Sequence, residues 1–269
     1  MELKDKVAIV TGAGSGIGRA LAQAIAKAGA RAVVCTDMHA ANAEETAKSI
    51  GAQATSLALD VADEQAIEAA VAATEAEFGA VDLFASNAGY GRAGGLNLPT
   101  SEWQKMMNVH AFAHLSAARA VIPGMLARGG GYLLSTASAA GLLTQIDSGP
   151  YALSKHAAVA FAEWVSINYG EQGIGVSVLC PQAVRTNILG PRAAASSTDA
   201  PKARRGSQAS GDGILEPSVV AEACLDAIRE GRFLVLPHPQ VATYFKRKAD
   251  DYDRWLGGMR RFRSKLLGG

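Results

Sequence analysis

Seven short runs rich in valine, isoleucine and leucine recur along the chain, and alanine-rich stretches separate most of them. The runs are "KVAIVTG", "ARAVVCTD", "ATSLALDV", "VDLFASNAG", "GYLLSTAS", "IGVSVLCP" and "RFLVLP". Runs this short and this apolar read as strands buried on both faces. The segment "GIGRALAQAIAKAG" reads as a helix closed by Gly29, with further helices expected near 40–50, 63–78, 101–127, from about 150, and 217–230. Strands that alternate with helices require right-handed crossovers, and so a parallel sheet covered by helices on both faces. The expected class is therefore α/β, a doubly wound seven-stranded parallel sheet occupying residues 1–237. A helical C-terminal extension, 238–269, is expected to follow it. Hydrophobic residues make up 49% and charged residues 19% of the 269 positions, enough apolar surface for one large core.

Charge and cysteine usage exclude several roles. A formal net charge of +1 argues against a general nucleic-acid binder. Cys35, Cys180 and Cys224 sit in apolar runs without metal-ligand spacing and read as buried free thiols of a reducing compartment. No apolar run approaches the length of a membrane span, and the opening "MELKDKVAIVTG" does not resemble a secretion signal. The expected location is the cytoplasm.

The first strand runs directly into "TGAGSGIG". Gly12, Gly16 and Gly18 leave room for a tight turn and a close approach of backbone to phosphate. The helix that follows presents free N–H groups and the positive end of its dipole. The spacing is G-x-x-x-G-x-G, not G-x-G-x-x-G, but its place between a strand and a helix is the context that supports dinucleotide binding in a Rossmann fold. Asp37 ends the second strand. A carboxylate there can accept hydrogen bonds from both adenosine ribose hydroxyls and would repel a 2′-phosphate. Its sequence neighbours Thr36, Met38, His39 and Ala40 include no lysine or arginine, and Ser15 in the glycine loop is uncharged. NAD is therefore expected in preference to NADP.

Ligands of open parallel sheets bind at the carboxyl ends of the strands. Asn87 follows strand four, Ser138 follows strand five, Pro181 follows strand six, and Tyr151 and Lys155 stand one helical turn apart in "YALSK". Together, "TGAGSGIG", "NAG", Asn108, Ser138 and "YALSK" resemble the short-chain dehydrogenase/reductase family from about residue 4 to 190, and more loosely to 237. The resemblance implies a catalytic tetrad of Asn108, Ser138, Tyr151 and Lys155. It implies adenine contacts from Asp60 and Val61, a sheet-steadying role beside the cofactor for Asn87, and a nicotinamide amide contact from Thr186. With Ile17 and Val184, the expected cofactor-binding set is Gly12, Ser15, Gly16, Ile17, Gly18, Asp37, Asp60, Val61, Asn87, Tyr151, Lys155, Val184 and Thr186, with no metal. A homotetramer is also implied, its helices near 101–127 and 150–170 pairing between subunits.

The chemistry agrees with those roles. A free phenol ionises near ~10, so a base near neutrality needs a shift of about 3 units, roughly 4 kcal/mol. Lys155, a nicotinamide cation and a helix N-terminus can each favour the phenolate. Ser138 would hold the substrate oxygen, Lys155 would also hold the nicotinamide ribose, and Asn108 would anchor a water that relays protons. One position departs from the family: Gln182 stands where proline is commonly followed by glycine, which questions the local turn.

Expected pocket walls are Tyr90, the stretch Ala140 to Ile146, Gln182 to Val184, and residues 190–213, a small polar segment expected to close over the site as a lid. Most are apolar or small, Gln145 excepted. They suggest a hydrophobic secondary alcohol or ketone, steroid-like or aromatic. The alternatives are an NADPH-dependent ketoacyl-type reductase and a non-catalytic nucleotide sensor on the same fold. In the tail, Val241, Phe245, Tyr252, Trp255, Met259, Phe262 and Leu266 form a helical apolar stripe interrupted by Lys248, with a break or bend expected at Gly257 and Gly258. The stripe can pack on its own subunit, cross to a neighbour and wall its active site, or lie on a membrane surface. The neighbour is the favoured expectation, because the sheet is complete before the tail begins, and membrane association is the least favoured.

Overall fold

A computed structural model describes residues 1–189 and 211–266. The expectation of a lid over 190–213 falls mostly outside the described residues. Strands β1 (Val7–Thr11), β2 (Ala32–Asp37), β3 (Ala54–Ala58), β4 (Leu83–Ser86), β5 (Gly131–Thr136), β6 (Ile174–Leu179) and β7 (Leu234–Val235) form one sheet in the order β3-β2-β1-β4-β5-β6-β7. Every neighbouring pair is parallel. The helices are α1 (Gly16–Lys27), α2 (Ala40–Ile50), α3 (Glu64–Phe78), α4 (Thr100–Met107), α5 (Ala113–Ala127), α6 (Ala140–Leu143), α7 (Gly149–Tyr169), α8 (Pro217–Glu230), α9 (Gln240–Asp250) and α10 (Tyr252–Leu266). The fold is the expected doubly wound Rossmann arrangement.

The apolar pattern explains the layering. All five residues of β1 are buried, as a strand covered on both faces must be. Helix α1 buries Gly18, Leu21, Ala22, Ile25 and Ala26, a spacing of three and four that turns one face to the sheet. Two apolar clusters result. One contains Ile9, Phe84, Val121 and Val178, the other Val10, Leu21, Leu134 and Ile228. The three cysteines are free and buried, and burial pushes the Cys180 thiol up to about 12.

Three local features were not legible in the sequence. The helix expected near 101–127 is interrupted between α4 and α5 by a wide π turn, Asn108–Phe112. Such turns recur at functional sites. The tail breaks at Asp251, not at Gly257 or Gly258, which lie inside α10. Asp251 is extended, its carboxylate accepts the Arg254 N–H at 3.0 Å, and its carbonyl accepts the Trp255 N–H at 3.0 Å, so it caps the second helix. The first tail helix packs on its own subunit, with Val241 fully buried in the same core as Ile9, and Trp255 of the second is partly buried against that core. Helix α10 has no buried residue. Among the described residues, no helix is long and apolar enough to cross a membrane.

His114, in α5, is buried with its Nδ1 lacking a hydrogen-bond partner, and burial depresses its pKa to about 3. In the unfolded chain the imidazole would protonate near ~6.5. Its neutral form therefore supports the fold fully above that value, and stability is lost as pH falls from there toward about 3. We expect thermal melts to show a steep acid limb across this window, and His114→Leu to flatten it by on the order of 1–4 kcal/mol. An unchanged acid limb in His114→Leu would contradict this.

Candidate active site

The parallel sheet brings the ends of β1, β4, β5 and β6 to one edge. Asn87, just past β4, joins three of them. Its Nδ2 donates to Thr11 O at 3.0 Å, its backbone N–H donates to Thr11 Oγ1 at 2.9 Å, and its Oδ1 accepts from Thr136 Oγ1 at 3.2 Å. The glycine loop packs beside it. Gly12 and Gly16 have φ of 64° and 52°, which favour glycine. A methyl group on Gly18 would lie 2.1 Å from Gly12 O, and one on Gly16 would lie 2.8 Å from Thr186 Cγ2. The loop thus closes on bare backbone, with Thr186 directly opposite. Ser15 precedes α1 at its N-cap, and Ile17 is partly buried against the second core cluster. The open N-terminus of α1 suits a pyrophosphate.

Asp37 stands at the end of β2. Its Oδ2 accepts the Gly14 N–H at 3.1 Å and its Oδ1 accepts the His39 N–H at 2.9 Å. The sequence neighbourhood showed no cation there, but the fold supplies one. Arg19 Nη2 donates to Gly14 O at 2.7 Å, while its other nitrogens engage Glu45 at 3.1 Å and Thr46 at 3.0 Å. Its charge is already paired with a carboxylate. Farther along the crevice, Asp60 is exposed and bonds its own turn at Ala62, and Val61 is buried beside Thr11 and His114. Val184 is buried and bridges to Leu215.

Helix α7 places the Tyr–Lys pair. Ser148 Oγ accepts the Tyr151 N–H at 3.2 Å, and Pro150 occupies the first turn, where no intrahelical N–H is needed. Lys155 is buried. Its Nζ donates to Thr136 O at 2.8 Å and lies 5.7 Å from the Tyr151 ring centroid. Burial lowers its pKa to about 8. Burial also raises the Tyr151 phenol, opposed by a hydrogen bond with the Ser138 side chain. Among the chain's own groups, desolvation therefore outweighs the expected lowering, and Lys155 is aimed first at Thr136. Ser138 Oγ accepts the Ala140 N–H at 3.1 Å, which opens α6. Asn108 stands in the π turn packed on α7. It is exposed, and no hydrogen bond joins its side chain to Ser138, Tyr151 or Lys155.

Sequence reasoning missed His110. It is fully buried and meets the Tyr151 ring edge-on, with centroids 5.5 Å apart. Its Nε2 accepts the Tyr90 N–H at 3.1 Å, so the ring proton resides on Nδ1 and is donated to Ser154 Oγ at 3.0 Å; Ser154 then donates to Tyr151 O at 3.1 Å. Burial, with the Lys155 charge nearby, holds its pKa well below the usual value. No periodicity marks "NVH", so only the fold reveals this bracket.

The doubt over Gln182 is answered by its surroundings. Its backbone is not in the left-handed region, its N–H donates to His238 Nδ1 at 3.2 Å, and its Nε2 donates to Asp212 Oδ2 at 2.7 Å. The turn is therefore formed without glycine.

Asn87→Ala would leave Thr11 O and Thr136 Oγ1 without that partner, at a cost of about 1–3 kcal/mol. For a chain of this size we expect Tm to fall by several degrees, about 2–4 °C per kcal/mol. A melt unchanged from wild type would show that the three strands hold without it.

Comparison with known proteins gives the same result over most of the chain. The short chain dehydrogenase family matches residues 6–196. A 1-deoxy-11-beta-hydroxypentalenate dehydrogenase from Streptomyces exfoliatus is 32% identical over 260 residues, covering 93% of this chain and 90% of that protein. A 2-(R)-hydroxypropyl-CoM dehydrogenase from Xanthobacter autotrophicus is 36% identical over 190 residues, 68% of this chain and 76% of its own length. A short chain dehydrogenase/reductase from Burkholderia phymatum, solved in complex with NAD, superposes with a TM-score of 0.83 at 30% identity, covering 94% of this chain and 96% of the other. With the sheet order, the glycine loop and the Tyr–Lys helix in place, the chain belongs to the short-chain dehydrogenase/reductase family of oxidoreductases.

Proposed function

We propose that the chain is an NAD-dependent dehydrogenase that interconverts a hydrophobic secondary alcohol and its ketone, with Tyr151 as the acid–base group. The observation that carries this reading is the Lys155 ammonium, buried one helical turn from Tyr151 and 5.7 Å from its ring centroid, with the Ser138 side chain and the glycine loop on the same edge of the sheet. The cradle of Gly12, Gly16 and Gly18, with Asp37 at its end, fits a dinucleotide carrying a free ribose 2′-hydroxyl. A bound nicotinamide would supply the hydride acceptor or donor.

The chain's own residues do the rest. Ser138 Oγ orients the substrate oxygen against Tyr151 Oη, which takes the hydroxyl proton in oxidation and returns it in reduction. Lys155 keeps positive charge close to that proton and would hold the nicotinamide ribose. Asn108, in the π turn, would pass protons to solvent through water. Asp37 would accept the adenosine ribose hydroxyls and repel a 2′-phosphate, and Arg19, the cation that reaches Gly14, is paired with Glu45 at 3.1 Å. Asp60, Val61, Val184 and Thr186 complete the cofactor walls. NAD in a related structure, and dehydrogenases among the relatives, support this reading. A homotetramer is part of it. Leu153, Trp164 and Ile167 project from α7 and are at least half exposed, a surface suited to pairing between subunits.

The first test is NADH absorbance with 2-propanol, cyclohexanol, 1-phenylethanol and a hydroxysteroid, with NAD and NADP in parallel. We expect turnover on the larger alcohols with NAD, and a loss of about 10²–10⁴ in kcat for Tyr151→Phe with NADH binding retained. Near-wild-type turnover in that variant would remove Tyr151 from the mechanism. Asp37→Ala should weaken NAD and narrow its advantage over NADP in kcat/KM; an unchanged ratio would reject the assignment of Asp37. Light scattering should give four subunits at micromolar concentration.

A further inference from the structure

The first tail helix, α9, lies beyond the family match at residue 196, yet its side chains reach two segments that flank the reacting groups. The first segment is α6, which follows Ser138 by two residues. Lys248 of α9 is buried, and its Nζ donates to Leu142 O at 2.6 Å. The ammonium is boxed by the rings of Tyr252 at 5.4 Å and Trp255 at 5.1 Å. That carbonyl lies at the C-terminal end of the short helix, where a cation is favoured. Two residues on, Thr144 sits at φ 76°, ψ 171°, a backbone conformation that a β-branched residue adopts only when its surroundings impose it.

The second segment is the loop after β6. Gln182 Nε2 and Tyr244 Oη of α9 donate to the two oxygens of one carboxylate, Asp212, at 2.7 and 3.0 Å. His238, just before α9, is buried and accepts the Gln182 N–H at 3.2 Å. The same loop is joined to the serine segment, since the Ala139 N–H donates to Pro181 O at 2.9 Å. The amide of Gln182 reaches a partner that glycine, with no side chain, could not.

We propose that α9 is a working part of the substrate site in its own subunit. Lys248 is a positioning residue for the α6 turn that follows Ser138. Tyr244, acting through Asp212 and Gln182, is a positioning residue for the loop that faces the substrate. Neither touches the reacting atoms. Lys248 acts at the serine turn, and Gln182 stands at the start of a loop whose later residue Thr186 faces Gly16, so their loss should weaken alcohol binding more than cofactor binding. The inference rests on the dehydrogenase reading of the site.

The test uses the full chain, the alcohol of the panel that turns over fastest, and NADH itself as the binding probe. Tyr244→Phe and Gln182→Gly should each raise the alcohol KM by about 5-fold, the worth of roughly one hydrogen bond. The double variant should be no worse than the single variants, because both act through Asp212. NADH affinity from fluorescence titration should change by less than twofold, well below the change in alcohol KM. Lys248→Met should speed amide exchange in residues 141–144 by about tenfold or more while β1 stays protected, and Lys248→Arg should restore protection. Unchanged alcohol KM in all variants together with unchanged exchange in Lys248→Met overturns the proposal. Parallel loss of alcohol and NADH affinity also overturns it, since that pattern belongs to general destabilisation. A wild-type chain that binds NADH but oxidises no alcohol refutes the dehydrogenase reading instead, and the exchange experiment then decides the role of Lys248.

Discussion

The hydrogen bonds of Asn87 hold the edge on which the rest of the site is built. Parallel strands end together, so their carboxyl ends splay into a crevice with exposed backbone polar groups. Asn87 satisfies Thr11 O on β1 and accepts from Thr136 on β5 while continuing β4. Thr136 in turn offers its carbonyl to Lys155. One amide side chain thus sets the distance between the glycine loop, which begins at Gly12, and the ammonium near Tyr151. The glycines serve the same edge: Gly18 has no space for a methyl group against Gly12 O, so the loop can close only on bare backbone.

The electrostatics of the site follow from burial more than from pairing. Tyr151, Lys155, His110 and His114 all shift toward their neutral forms, with desolvation the largest cause in each. At Tyr151 the nearby Ser138 side chain opposes it, pulling the phenol down. A site in this condition responds strongly to any positive charge placed near the phenol, because the low-dielectric surroundings that oppose ionisation also amplify Coulomb attraction. His110 contributes without titrating. As a neutral ring it bonds Tyr90 on one side and Ser154 on the other, fixing the first turns of α7 against the π turn.

The tail changes what counts as the domain. Its first helix enters the core through Val241, and its lysine is the last hydrogen-bond partner of α6. A buried ammonium is expensive to leave unpaired. Its place between two aromatic rings and a helix-terminal carbonyl ties the position of α9 to that of the serine turn.

Much of this was legible in the sequence because it is local. Short apolar runs set between helical stretches read as strands, "TGAGSGIG" reads as a tight glycine turn, and Tyr151 and Lys155 share a face because residues four apart on a helix lie one above the other. Asp251 and the π turn at Asn108 escaped, since helix boundaries depend on which backbone groups find partners. Residues far apart in the chain escaped for a stronger reason. Nothing in "NVH" says that His110 will meet Tyr151, and nothing near Asp37 says that Arg19, in the helix before it, will come to the Gly14 peptide that the Asp37 carboxylate also holds. Lys248 reads as a defect in an apolar stripe until the fold brings Leu142 O to it across 106 positions of sequence. The sequence by itself determined the strands, the order of the motifs and the chemistry available at the crevice. Tertiary structure alone decided the direction of the tail and the partners of each buried polar group, because those partners exist only once distant segments have packed.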